Sequence, residues 1–260
     1  MAIVHKGEAT LFWESVACFI KGSICLVAGT LLFDLIDLVL LAGIIGLEAR
    51  FIIYILAIIA SLKVMGYYIG RGKTFFQGFM GEFKVLQEFR KLSKEYHLFV
   101  GVRIHERMES DLVVVGPSGV FLVEIKNYVG TIEGTASDRH WILRKGRHYT
   151  KRLDNPLRQQ KRNTFIVSQY LRQEGCPVRV ESCTLFPNVN TIWRDRIPER
   201  CYRFTGTLVD NIREQRKKKE LPKETIQRAV EALDKCVYGE PPMTEEEFEA
   251  KVNCSPSRGQ

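Results

Sequence analysis

Two long apolar runs near the N-terminus constrain this chain more strongly than any other feature of its sequence. Residues 22–46 are apolar except for Asp34 and Asp37, and residues 51–69 are apolar except for Lys63. Each run approaches the roughly 20 residues that a helix needs to cross the hydrocarbon core of a bilayer. Because only a short polar step separates them, the two runs are predicted to form an antiparallel transmembrane hairpin.

Charge predicts the orientation of this hairpin. Lys6 and Lys21 precede the first run, Arg71 and Lys73 follow the second, and the turn between the runs offers only Arg50. The positive-inside rule then predicts a multi-pass protein of the inner (cytoplasmic) membrane, with both termini in the cytoplasm. A cleaved signal peptide fits poorly, because the apolar stretch begins late, is too long and is followed by a second one.

The charged side chains inside the runs need partners, since each costs about 2.5–3.5 kcal/mol near the bilayer centre. Asp34 and Asp37 share a helical face, and Lys63 can pair with one of them across the hairpin or in an oligomer. The main interpretation is a contact between helices or subunits, or a hairpin that lies partly in the interface. An ion or proton path is the alternative.

The rest of the chain is basic and has the composition of a soluble domain. Residues 1–70 hold four basic and five acidic side chains, whereas the whole chain carries a net charge of +8, so residues 71–260 carry +9. A secreted enzyme and a simple cytosolic domain are therefore both disfavoured. Seven scattered cysteines and five histidines lack metal-ligand spacing, which indicates reduced thiols, surface histidines and no structural zinc.

An amphipathic helix is predicted over residues 78–96. Five apolar residues recur there at helical spacing: Phe79, Phe83, Leu86, Phe89 and Leu92. Glu82 falls within this apolar stripe, and a carboxylate that faces a core is costly unless something binds it. Glu82 is therefore either a core residue with a hydrogen-bond partner or a ligand in a site.

A β-hairpin with charged ends follows the helix. Runs rich in Val, Ile and Phe flank a Gly-Pro-Ser-Gly turn at residues 116–119, which predicts paired strands. If the turn closes symmetrically, Val115 faces Val120 and, counting outwards, Asp111 faces Glu124, with Lys126 on the same face. Facing carboxylates repel. The pattern indicates either a solvated charge trio or a site where a divalent cation such as Mg²⁺ removes the repulsion.

A strongly basic segment lies beyond the hairpin. Further strands are predicted at residues 130–134 and 141–143, and Asn155 followed by Pro156 indicates a helix start. Between residues 139 and 172 there are ten Lys or Arg and one acidic residue. This segment is either a solvated face or a surface that follows a phosphate backbone. The predicted nucleic-acid contacts are Arg144, Lys145, Arg147, Lys151, Arg152, Arg158, Lys161 and Arg162.

The remaining sequence predicts a strand, a connector and two helices. The strand is expected at residues 183–187, a charged connector at 213–219 and a helix at 223–237. Thr244 and Glu247 form the pattern of a capping box, which predicts that another helix begins there.

The ordered set of motifs over residues 76–187 resembles the nuclease-related domain (NERD) family. The motifs are Gly81-Glu82, residues 111–119, the Glu-Ile-Lys-Asn-Tyr-Val-Gly sequence at 124–130, Trp141, and Asn155-Pro156 with Gln159. The family is similar to the restriction-endonuclease-like PD-(D/E)xK superfamily. The resemblance implies an α/β fold with a mixed central sheet flanked by helices, preceded here by the transmembrane hairpin.

The resemblance also implies roles for individual residues. Asp111 and Glu124 would be metal ligands, Lys126 the catalytic lysine, Glu82 the carboxylate that completes the site, and Gln159 the glutamine of a motif found in related nucleases. Ser110 departs from the pattern, because many members have Pro before the aspartate. The implied cofactor is Mg²⁺ or Mn²⁺, and the implied partner is nucleic acid, with DNA expected. The sequence itself gives no oligomeric state, and a homodimer enters as a partner only because resolvase-like relatives are often dimers.

The expected function is that of a membrane-anchored, divalent-metal-dependent nuclease that hydrolyses phosphodiester bonds at the cytoplasmic face. A catalytically inactive, membrane-tethered nucleic-acid-binding module is the first alternative. A membrane structural or assembly protein whose basic domain contacts anionic lipid is the second. The expected organisation is a cytoplasmic segment at 1–21, the hairpin at 22–70, the nuclease-like domain at 71–190 and a C-terminal extension at 191–260.

Overall fold

The computed structural model describes residues 1–6, 10–41, 47–105, 108–188, 190–194, 196–218, 220–238 and 242–254. The elements in chain order are β1 (Ile3–Lys6), α1 (Thr10–Leu41), α2 (Leu47–Phe89), β2 (His97–His105), β3 (Met108–Gly116), β4 (Gly119–Ile125), β5 (Gly130–Glu133), β6 (His140–Lys145), β7 (Tyr149–Asp154), α3 (Pro156–Gln173), β8 (Val180–Leu185), β9 (Thr191–Trp193), β10 (Cys201–Tyr202), α4 (Thr205–Lys218), α5 (Lys223–Tyr238) and α6 (Glu245–Cys254).

A mixed six-stranded sheet in the order β1-β2-β3-β4-β8-β10 forms the centre of the folded domain. The β2-β3-β4 meander is antiparallel, whereas β1, β8 and β10 each pair in parallel with their neighbours. Alternate side chains enter two cores: Val113 and Val115 pack with α3 and α5, while Leu112 and Val114 pack with the end of α2 and with α4. The predicted fold class, a mixed sheet flanked by helices, is confirmed.

The β3–β4 hairpin has the register predicted from its turn. Val115 pairs with Val120, and the ladder continues to the pair Leu112–Val123. The Tyr96 ring lies directly over Gly116, where an added Cβ would come within 2.3 Å of the ring, and its hydroxyl hydrogen-bonds Ser118. This contact explains why glycine occupies the first position of the turn.

A second, four-stranded sheet in the order β7-β6-β5-β9 lies between β4 and α3 in the chain, with β9 added later. Its core is aromatic: Trp193 meets Trp141 and Phe186 edge-on, at ring-centroid distances of 5.1 and 5.2 Å. Strands were predicted at β5 and β6 but not at β7. Of the β7 side chains only Leu153 is buried, so the sequence of this strand lacks an apolar alternation.

The first residues of the chain form an unpredicted strand. Ile3–Lys6 pairs in parallel with the start of β2, and the Ile3 N–H donates to the Tyr96 carbonyl at 2.9 Å. By their internal contacts, residues Met1–Glu8 and Gly81–Gln260 form one compact unit, and Ala9–Met80 form another. The chain therefore begins in the folded domain, leaves it for the apolar helices and returns to it.

Among the described residues, two helices are long and apolar enough to cross a membrane, with candidate spans Phe12–Gly29 and Phe51–Phe89. Small residues let them pack together: an added Cβ at Gly29 would lie 2.7 Å from the Ser61 hydroxyl oxygen. The Ser15 hydroxyl donates to the Gly72 carbonyl at 3.1 Å.

The observed helices run further than the predicted spans. The first begins at Thr10, and the second is continuous with the predicted amphipathic helix, which ends at Phe89 and not at residue 96 as predicted. Phe83, placed in the apolar stripe by sequence, is exposed, because the stripe that faces the sheet runs through Val85 instead. The turn at residues 42–46 and the side chains of Asp34 and Asp37 lie outside the described residues, so their proposed pairing with Lys63 stays a prediction.

Two expectations for the rest of the domain were wrong. The predicted charged connector is the end of α4, a helix held to the sheet by Leu208, Val209 and Ile212 on its apolar face. His105, expected at the surface, is only 4% exposed, and its Nε2 atom lies 2.9 Å from the Glu245 carboxylate.

Two other expectations for this part of the chain are confirmed. The helix predicted at residues 223–237 is α5. The capping box is formed by Thr244 and Glu247, with the Glu247 N–H donating to the Thr244 hydroxyl at 3.3 Å.

Replacing Val4 by Asp should destabilise the folded domain. Val4 packs against the core formed with α2 and α4, so the substitution places a carboxylate against apolar side chains and should lower the free energy of unfolding by about 2 kcal/mol. The control is Ile3→Asp, which changes a 46% exposed neighbour. Urea unfolding in a Trp13→Phe background, followed by tryptophan fluorescence, measures both. Equal effects at the two positions would contradict the docking of β1.

Candidate active site

Asp111 lies where the ladder between β3 and β4 ends. The last paired residues are Leu112 and Val123, and beyond them the Ile125 N–H donates to the Asp111 Oδ2 atom at 2.6 Å. The carboxylate thus takes the place of a backbone acceptor. By strand alternation Asp111 shares the α3 face of the sheet with Val113.

Glu124 and Lys126 form an ion pair at the end of β4. The Lys126 ammonium donates to Glu124 Oε1 at 2.6 Å, and Glu124 is only 5% exposed. The Lys126 N–H donates to the Leu185 carbonyl at 2.9 Å, which fixes the backbone of the lysine against β8. Glu124 shares the α3 face with Leu122, so the two predicted carboxylates stand on one face of the sheet.

The electrostatics of the group follow from burial and from like charges. Burial, reinforced by the nearby Glu124 carboxylate, raises the pKa of Asp111; the Ile125 N–H and the Lys126 ammonium oppose the rise, and the charge of Glu82 adds to it. Burial alone would lower the pKa of Lys126, but the contact with Glu124 and the charge of Asp111 outweigh it and raise that pKa. The Lys126 side chain is therefore a charged donor at neutral pH.

Glu82 approaches the same group from α2. Glu82 is half-buried and lies on the same face of α2 as the buried Val85 and Phe89, which is the face that packs on the sheet. The helix is held close by Gly81, where an added Cβ would lie 2.8 Å from the Asn127 amide nitrogen. The structure thus brings Glu82 within electrostatic reach of Asp111.

Gln159 lies in the first turn of α3. Asn155 caps this helix by accepting the Leu157 N–H at 3.0 Å, and Pro156 occupies its first turn, as predicted. Because β4 and β8 are parallel and α3 connects back to β8, the N-terminus of α3 lies at the sheet end that carries Glu124. Gln159 is half-buried, and in the described part of the chain no hydrogen bond joins it to Asp111, Glu124 or Lys126.

The eight predicted nucleic-acid contacts divide between two elements. The β6–β7 hairpin carries five of them: Arg144, Lys145, Arg147, Lys151 and Arg152, all exposed. Arg144 is held by Glu133 at 2.8 Å, and the Lys145 ammonium lies 5.5 Å from the centre of the Tyr149 ring. The other three lie on α3, where Lys161 is exposed and Arg158 and Arg162 are half-buried.

Two neighbours of Lys126 belong to this region and were missed from the sequence. Asn127 packs on Gly81 and accepts the Asn188 side-chain amide at 3.1 Å, so it connects α2 to the end of β8. Burial raises the pKa of Tyr128. The charges of Lys126, Glu124 and Asp111 also act on this pKa, so the phenol lies close enough to these side chains to interact with them electrostatically. The sequence signal that could have identified Asn127 and Tyr128 is their position directly after the Glu-x-Lys motif.

The donor set fits a hard divalent cation. Within the described residues no three His, Cys, Asp or Glu side chains stand close enough together to hold an ion. Mg²⁺ is usually held by one or two carboxylates and keeps several waters, so the pair Asp111 and Glu124 meets its requirement. A dication would also relieve the repulsion by Glu124 that, after burial, raises the pKa of Asp111.

Replacing Asp111 by Asn should stabilise the protein in EDTA. Because folding raises the pKa of Asp111, the folded state binds more protons than the unfolded chain, and stability falls as pH rises above about 4. The variant lacks this penalty, so its advantage should be absent near pH 4 and reach about 1 kcal/mol at pH 8, allowing for solvent near the half-buried group. Urea unfolding across this pH range measures it. A wild-type protein that is the more stable at pH 8 would contradict the analysis.

Comparison with known proteins identifies the part of the chain that contains these residues. The sequence profile of the family described as nuclease-related domain, NERD, matches residues 77–187. No curated protein and no solved structure matches the chain. The matched segment begins shortly before Glu82 and ends just after β8, so it includes both carboxylates of the hairpin, Lys126 and Gln159. Residues 77–187 of this chain are a nuclease-related (NERD) domain.

Proposed function

We propose that this chain is a membrane-anchored, divalent-metal-dependent nuclease that hydrolyses phosphodiester bonds of DNA at the cytoplasmic face. The observation that carries the proposal is the arrangement inside the NERD domain of Asp111, Glu124 and Lys126. The two carboxylates stand on one face, and the lysine is bonded to Glu124 at 2.6 Å. Clusters of buried, mutually perturbed titratable groups are typical of functional sites.

Asp111 and Glu124 hold the cation in this proposal, with Mg²⁺ or Mn²⁺ as the ion. When bound, the ion would act as a Lewis acid on the phosphate and make a water more acidic. Asp111 is kept in place by the Ile125 N–H, so it offers its other oxygen without having to reorient. Glu82 supplies a third negative charge from α2 and can hold the ion through water.

Lys126 is the electrostatic partner of the phosphate. Its ammonium already lies in the site and is charged at neutral pH, so it can donate a hydrogen bond to a phosphate oxygen as negative charge develops there. Help with deprotonating the attacking water is the other role for this side chain. Gln159, in the first turn of α3, can position a phosphate oxygen near the helix N-terminus.

The β6–β7 hairpin is the proposed track for the nucleic-acid backbone. The hairpin follows β5, with β6 beginning 14 residues after Lys126, and β7 ends two residues before α3, the helix that carries Gln159. Exposed basic side chains at its tip attract phosphates regardless of base sequence. The three basic residues on α3 extend the same charge towards the site.

Membrane attachment is the proposed role of α1 and α2. Both are long and apolar enough to cross a bilayer. Residues on either side of them, Met1–Glu8 and Gly81–Gln260, belong to one folded unit. That connectivity supports a hairpin with both ends on the side of the folded domain, and the basic residues that flank the helices favour the cytoplasmic side.

The first test is DNA cleavage by the full chain in inverted membrane vesicles, with single-stranded, duplex and four-way-junction DNA. Wild type should cleave with Mg²⁺ or Mn²⁺ and not with EDTA, and Glu124→Gln should lose activity at least about 100-fold because a metal ligand is gone. The control is Glu181→Gln, which changes a β8 carboxylate that is 37% exposed and lies 3.7 Å from the Arg179 guanidinium.

The same experiment separates the alternatives. Cleavage by inverted vesicles and none by right-side-out vesicles supports the cytoplasmic placement. DNA binding by all variants without cleavage by any would overturn the nuclease proposal in favour of a nucleic-acid-binding module.

Removing charge from the tip of the basic hairpin should weaken DNA binding without sequence preference. The double variant Arg147→Gln, Lys151→Gln should reduce the slope of log affinity against log salt by about 2, since each lost phosphate contact contributes about 0.9. Fluorescence anisotropy in EDTA measures binding without cleavage. Arg179→Gln, at a 79% exposed position outside the basic segment, is the control. An unchanged slope, with binding to anionic vesicles lost instead, would indicate a lipid-contacting surface.

A further inference from the structure

Two buried side-chain amides of α3 are incompletely hydrogen-bonded. Gln160 is 2% exposed and Asn163 is 1% exposed, and both lie on the inner face of the helix. Among the residues that the structure describes, the Gln160 Nε2 and the Asn163 Oδ1 atoms have no hydrogen-bond partner. About nine-tenths of buried polar groups in proteins are paired with protein or with ordered water, so this donor and acceptor call for a partner.

Landmarks along α3 locate these amides against the sheet. One turn before Gln160, Leu157 packs with Phe186, just past the end of β8. One turn after Asn163, Ile166 packs in the core that contains Leu122 and Val180. The two amides therefore face the stretch of sheet between these landmarks.

That stretch of sheet is itself polar. On β8 the alternate residues Ser182 and Thr184 lie there and are buried. Thr184 is the register partner of Glu124 on β4. The amides of α3 thus stand over the strand ends next to Glu124, and Thr184 and Glu124 present oxygen atoms on the same face.

A buried water molecule would supply both the acceptor that Gln160 Nε2 needs and the donor that Asn163 Oδ1 needs. It can accept a hydrogen bond from Gln160 Nε2 and donate one to Asn163 Oδ1, because residues three apart on a helix are neighbours. Its second O–H bond is then left for an acceptor on the sheet, and the carboxylate of Glu124 is the strongest acceptor there. Buried waters typically make about three hydrogen bonds of this kind.

We propose that Gln160 and Asn163 hold one buried water that donates to Glu124 and fixes its carboxylate for cation binding. Both amides are positioning residues, since they act through Glu124. This inference rests on the proposed function, because it assumes that Glu124 holds a cation. It assigns to Gln160 a task different from that of Gln159, whose half-buried side chain stands one residue earlier on the flank of the helix.

The test is Mn²⁺ affinity of the full chain in detergent, measured by electron paramagnetic resonance without nucleic acid. Gln160→Met and Asn163→Leu keep side-chain size and remove the hydrogen-bonding groups, and each should weaken Mn²⁺ binding about 10-fold. The double variant should be no weaker than either single variant, because both amides hold the same water. Gln169→Met, on the outer side of the same helix, should bind Mn²⁺ like wild type.

Unfolding in EDTA separates positioning from a structural role. Removing Gln160 Nε2 or Asn163 Oδ1, which in this proposal bond the water, should leave stability unchanged or higher, while a structural role would lower stability and leave Mn²⁺ affinity intact. If Glu124→Gln binds Mn²⁺ as well as wild type does, the cation site and the proposed function fail. If Glu124→Gln loses Mn²⁺ but the Gln160 and Asn163 variants retain it, the proposed function stands and this inference alone is overturned.

Discussion

The repulsion between two carboxylates at the open end of one hairpin is the constraint around which this domain is arranged. Asp111 and Glu124 are brought to one face by the register of a tight turn, and burial makes their shared charge costly. Lys126 offsets part of that cost through its bond to Glu124, and the Ile125 N–H offsets another part at Asp111. A hairpin built for stability alone would place apolar residues there, and this electrostatic cost supports the proposed site.

The rest of the domain brings further charged and polar side chains to this end of the sheet. Gly81 and Asn127 allow α2 to approach closely enough to bring Glu82 into the field of Asp111. The second sheet is inserted directly after Lys126 and carries the exposed basic hairpin, and the chain then returns through the Asn155 cap into α3. Rigid elements therefore support the site on several sides, and exposed charge is kept on a projecting hairpin.

The sequence was sufficient to predict those parts of the fold that are determined by residues close together in the chain. The register of the β3–β4 hairpin follows from the turn, the start of α3 from Asn155 and Pro156, and the last helix from its capping box. The nuclease-related domain itself was recognisable from its motifs. Prediction failed where burial is set by distant partners: β7 has one buried side chain, and His105 is buried by α6, which lies far along the chain. The partly unpaired amides of Gln160 and Asn163 depend on how a helix lies on a sheet, and the homodimer stays a prediction.

The N-terminal strand has a consequence for the order in which the molecule is built. Ile3–Lys6 is synthesised before both apolar helices, whereas its partner His97–Val100 is synthesised only after them. The edge of the sheet thus closes through a contact between residues far apart in the chain, and such contacts form late because a long loop must be ordered first. If the apolar helices insert into a bilayer, as proposed, insertion would come before completion of the sheet, and the folded domain would be completed only on a chain that has already been inserted.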